Sequence, residues 1–148
     1  MNLHIPKMNN LGRTTFEALI KDILLLENIM ISVRSNGAVA EVRIEKDTPF
    51  RLNEQWATIG DEKGRWHIHV NISEAKEARF VVESKDSGRK SYSIRFFNSQ
   101  NILILRINFV KIYTPDNMVI EESLSQYENL FSKYGSKDSL LLSLDPQQ

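Results

Sequence analysis

The chain has 148 residues, 41% of them hydrophobic, enough for one domain that buries roughly 70% of its unfolded surface without a covalent or metal staple. It contains no cysteine, which excludes disulfides, thiolate metal sites and a catalytic thiol. Lysine plus arginine balance aspartate plus glutamate at 19 each, so no global field gathers a polyanion and duplex nucleic acid is not an expected partner.

The opening stretch "MNLHIPKMNN" has no apolar core of signal-peptide length, and the runs "ILLL" and "ILIL" are far too short to cross a bilayer, so the expectation is a cytoplasmic protein with no membrane insertion. The run "RTTFEALIKDILLLEN" sets Phe16, Leu19, Ile20, Ile23 and Leu24 on one helical face. Thr14 and Glu17 have capping-box spacing, which predicts a helix start at Thr14. Beyond Asn28 the pattern becomes extended. "IMISVR" and "AVAEVRIE" flank "SNG", where Asn36-Gly37 suits the positive φ angles of a tight hairpin turn.

Further strands are expected at "QWATIG", "RWHIHVNI", "EARFVVESK", "SYSIRFFN" and "ILILRINFV", separated by the turn-rich pieces "DEKG", "KDSGRK" and "NSQN". Seven strands in sequence with short connections predict one mainly antiparallel sheet. A closing helix is expected from about Met118 to Tyr134, with Ile120, Leu124, Tyr127, Leu130, Phe131 and Tyr134 on one face and Gly135 as its C-terminal cap. The fold class is therefore α+β, a seven-stranded sheet flanked by an N-terminal and a C-terminal helix. Residues 1–11 read as a flexible N-terminal tail, 12–135 as the domain, and 136–148 as a C-terminal tail whose Leu140, Leu141, Leu142 and Leu144 suit docking on this domain or on a partner.

In "ILILRINFV" one face carries Leu103, Leu105, Ile107 and Phe109, the other Ile102, Ile104, Arg106 and Asn108. The second face is half apolar, which suits a ligand wall or, more commonly, a subunit contact. Motifs for the common hydrolytic and nucleotide chemistries are missing: there is no G-x-S-x-G elbow and no phosphate-binding glycine loop. Glu121 and Glu122 read as the charged opening of the last helix rather than as an acid–base pair.

The chemistry concentrates in "GRWHIHVNIS", which holds two of the three histidines. On a strand His67 and His69 share a side, roughly 6.6 Å apart, while Trp66, Ile68 and Val70 face the core. Three readings compete: polar residues facing solvent, a transition-metal site that needs further ligands, and a haem site that needs one proximal imidazole, an apolar wall and cations for the propionates. Arg34, Arg65 and Arg95 are candidates for those cations.

The order "VRSNGAVAEV", "WATIGDEKGRWHIHVNISEAKEARFVVE", "SYSIRFFNSQNILILRINF" and a closing "LFSKYG" resembles the cytosolic haem-utilisation family that includes the HutX and ChuX carriers and one half of the duplicated HemS and ChuS proteins. The similarity covers roughly residues 12–135, its most specific pieces being the "W-H-x-H" strand and the "FFNSQN" turn. The resemblance implies a homodimer with haem held in a cleft at the sheet, a carrier rather than an enzyme. His69 falls where these carriers place the iron-ligating histidine, with His67 as the substitute. Arg34 aligns with the first-hairpin histidine of the carriers and suits a propionate instead, as does Arg95. The turn "NSQN" has asparagine where the family commonly has glycine, which suits positive φ. Two alternatives remain open: a dimerising module of the same fold that has lost haem, and a small-metal site using His67 and His69.

Overall fold

The computed structural model describes residues 5–135 and 139–142, with the side chains of 5–14 and 139–141 left aside. Helix α1 (Ile5–Leu24) is followed by eight strands, β1 (Ile29–Arg34), β2 (Val39–Ile44), β3 (Phe50–Asn53), β4 (Trp56–Gly60), β5 (His67–Asn71), β6 (Glu77–Ser84), β7 (Lys90–Phe97) and β8 (Leu103–Phe109), then by α2 (Glu121–Tyr134) and a short β9 (Ser139–Leu141). The helix therefore begins at Ile5, upstream of the expected start at Thr14.

The α+β class holds, but the strands form two sheets rather than one of seven. Five strands in the order β2-β1-β8-β7-β6, lengthened at the β6 edge by β9, make the larger antiparallel sheet, while β3-β4-β5 form a separate meander. Both edges of β1 are occupied, by β2 and by β8. The strands between β2 and β6 pair with one another instead, leaving the outer edge of β2 unpaired among the described residues. Strand β3 also escapes the sequence pattern, because it is short and follows Pro49.

One face of the larger sheet carries the core. Ile29, Ile31, Ile94, Phe96, Leu105 and Ile107 are buried there together with Phe16, Leu19, Ile20 and Ile23 of α1, the side of the helix that the periodicity predicts. Phe16 meets Phe96 edge to face at 5.7 Å. From α2, Tyr127 packs against Phe80, Tyr92 and Phe109 with ring centroids 5.1–5.9 Å apart. Ala57, Ile59 and Val70 of the small sheet belong to the same buried cluster, so the outward side of that sheet is the one bearing His67 and His69.

The ends of the elements have local causes. Gly135 closes α2 as expected, its N–H donating to the Phe131 carbonyl at 2.8 Å. Its φ is −113°, and glycine is needed there because a β carbon would lie 2.5 Å from the Phe80 ring. In the first hairpin Ser35 N–H bonds the Ala38 carbonyl at 2.9 Å, yet neither Asn36 nor Gly37 takes a positive φ. In the β7–β8 turn Asn101 does, at 65°, and the Asn98 side chain accepts hydrogen bonds from the backbone of Gln100 and Ile102. Of the C-terminal leucines, Leu142 is buried and its N–H bonds the Lys76 carbonyl, so this part of the tail docks on its own domain. Leu144 lies outside the described residues.

Candidate functional site

The β4–β5 hairpin builds the histidine site. Its turn starts at Gly60, whose φ of 100° and close approach to the Trp66 carbonyl admit no side chain. The register sets Gly60 opposite His67, Thr58 opposite His69 and Trp56 opposite Asn71. Both histidines are exposed, with ring centroids 4.9 Å apart at an interplanar angle of 62°.

His69 is the better anchored of the two. Its Nδ1 lies 2.9 Å from the hydroxyl of Thr58, which is itself only 5% exposed, and the ring meets Trp56 edge to face at 6.5 Å. With Nδ1 tied to that hydroxyl, Nε2 is the nitrogen turned toward the surface. Glu62, from the turn, brings its Oε2 to 3.6 Å from that Nε2, while its Oε1 pairs with Arg51 of β3. Glu62, His67 and His69 thus offer ligand atoms that all lie within 4.8 Å of one another.

Thr58, Glu62 and Arg51 are site residues that the sequence reading passed over. Glu62 sat in a piece read as a plain turn and Arg51 in an unrecognised strand. Thr58 was within reach: pairing positions 60 and 67 across "DEKGRW" sets 58 opposite 69.

Arg34 and Arg95 stand on the other sheet. They belong to its outward face, across β1, β8 and β7, together with Ser32, Arg106, Asn108 and Ser93. Arg95 donates to Ser93 Oγ at 3.1 Å and to Glu83 at 2.7 Å, and that hydrogen bond holds the Glu83 carboxyl below the usual carboxylate range. Arg106 bonds Asn108, and burial followed by the nearby Arg95 charge lowers its pKa. The Arg34 side chain has no hydrogen bond or ion pair among the described residues. It lines a cavity of about 400 Å³ with Lys85, Arg89, Lys90 and Arg106, against a single carboxylate, Glu41. Ser91 lines the same cavity, and its Oγ is buried without a partner. One chain therefore does not bring Arg34 and Arg95 to the histidines.

A family model matches residues 17–135, most of the chain. The chain belongs to the ChuX-like family. Among solved structures, ChuX superposes with a TM-score of 0.68 at 16% identity, over 82% of this chain and 72% of ChuX, and a second ChuX structure is described as that of a haem-binding protein. A protein from Agrobacterium tumefaciens gives a TM-score of 0.68 at 18% identity, over 82% of this chain and 67% of its own. Holo-PhuS, a haem-binding protein from Pseudomonas aeruginosa, gives 0.58 at 14% identity over 78% of this chain, which spans only 32% of PhuS. At these identities the likeness is one of fold. A comparison with curated protein sequences finds no match. No helix of the described residues is long and apolar enough to cross a membrane.

Proposed function

We propose that this ChuX-like protein binds and carries haem, with His69 supplying the iron ligand and His67 standing in as its substitute. The observation that carries the proposal is the state of His69, whose ring is fixed through Nδ1 by a buried threonine hydroxyl while Nε2 faces outward. Axial ligation needs an imidazole presented in that way. Trp56, 44% exposed beside the ring, offers apolar wall for a macrocycle. The haem-binding ChuX and PhuS, which share the fold, support the same ligand class.

The propionates require cations, and the basic cavity around Arg34 has the right chemistry. It gathers four further cationic side chains, and a carboxylate there would satisfy the orphaned Ser91 hydroxyl. Arg95 borders this face, although its charge is already engaged by Glu83. Because histidines and arginines occupy different sheets, the proposed haem cleft is shared between two copies in a homodimer, the histidine strand of one facing the arginine face of the other.

This is a carrier rather than an enzyme, in the reducing cytoplasm where a cysteine-free chain is at home. The test is a titration of untagged apoprotein with haem, together with the mass in solution before and after. Saturation at one haem per chain in a dimer is expected. Weak, non-saturating uptake by a monomer would overturn the proposal and favour a fold kept for dimerisation or another purpose.

A further inference from the structure

We propose that Glu62, His67 and His69 form a binding site for a divalent transition metal ion, with zinc as the representative cation. This goes beyond the haem reading: haem takes one imidazole, whereas a small cation takes both imidazoles and the carboxylate at once.

The donor set, two imidazole nitrogens and one carboxylate oxygen, is one that zinc accepts, and three protein ligands leave a fourth tetrahedral position for water or an external ligand. The three ligand atoms already lie within 4.8 Å of one another. Ligand atoms around tetrahedral zinc are about 3.3 Å apart, as bond lengths near 2 Å require. Closing the difference needs side-chain rotation of about an ångström, and all three side chains are exposed.

The surroundings already hold the ligands in the required state. Thr58 engages Nδ1 of His69 and so leaves Nε2 as the coordinating nitrogen. Arg51 engages one oxygen of Glu62 and turns the other toward His69. The two histidines are held on one face by strand geometry, since residues two apart point to the same side. Each ligand thus comes with a partner or a strand that positions it, and the three arise from one hairpin whose turn requires glycine at Gly60.

The test is calorimetric titration of zinc chloride into the untagged full chain without haem. Binding of one zinc per chain is expected, weakened at least roughly tenfold by His67→Ala, His69→Ala or Glu62→Gln, and roughly tenfold by Thr58→Val through loss of the outer hydrogen bond. Histidine-ring NMR of the wild-type chain supplies a readout that needs no variant: the His67 and His69 signals must move together as zinc is added. Absence of one-to-one binding, ring signals that do not move, or binding that survives His67→Ala and Glu62→Gln would overturn the proposal. The two readings fail separately, because zinc binding is read on the chain without haem and haem uptake is read by its Soret band.

Discussion

Thr58 Oγ1 and His69 Nδ1 stand 2.9 Å apart across the β4–β5 register, a hydrogen bond between a buried hydroxyl and an exposed ring. It orients a surface histidine by fixing one of its two ring nitrogens. Thr58→Val keeps the volume and removes the hydroxyl, so haem affinity should fall by roughly tenfold, within the range usual for lost outer-shell partners. Circular dichroism should show the fold intact.

Arg34 should act on affinity and not on the iron. Arg34→Glu places a carboxylate in the basic cavity, where it repels a propionate. Haem binding should weaken several-fold and become less sensitive to salt, while the absorption spectrum of the bound form stays that of wild type. A changed spectrum would instead assign Arg34 to the iron.

Asp22 ties α1 to α2, accepting hydrogen bonds from Lys133 at 2.8 Å and Tyr134 at 2.6 Å. Burial pushes its carboxyl up, but the bonds from Lys133 and Tyr134 outweigh it and the pKa ends below the usual value. A lowered folded pKa contributes stability that is complete above the unfolded value, about 3.9, and is lost as pH falls through the folded one. Asp22→Asn should therefore cost about 1 kcal/mol at neutral pH, roughly 2–4 °C in Tm. The gap to wild type should close as the pH drops below the unfolded value, which thermal melts across an acid series would measure.

Gly135 is limited by space rather than by backbone angle. Gly135→Ala drives a methyl into the Phe80 ring, which itself meets Tyr127 and Phe131 edge to face, and should cost about 1–3 kcal/mol. Chemical denaturation would read this directly, and an unchanged midpoint would mean that the α2 terminus can shift away from Phe80.

The sequence made the class and the faces legible because burial writes a period. Phe16, Leu19, Ile20 and Ile23 on α1 and Leu105, Ile107 and Phe109 on β8 are the buried residues that spacing selects. It also placed His67 and His69 outward, since Val70 had to face inward. What it could not carry was sheet membership: β3–β5 look like any other strands, and β1 takes its second neighbour, β8, from far along the chain. The same separation moved Arg34 and Arg95 away from the histidines. Glu62 was illegible because a turn residue gains its role only once the hairpin register brings it back over His69.

The central claim is that His69 holds the haem iron. The measurement that tests it most directly is haem titration followed by absorption spectroscopy on wild type, His67→Ala and His69→Ala side by side. A sharp Soret band is expected for wild type, retained in His67→Ala and lost or strongly weakened in His69→Ala. A His69→Ala variant that binds haem with the wild-type spectrum and affinity would contradict it.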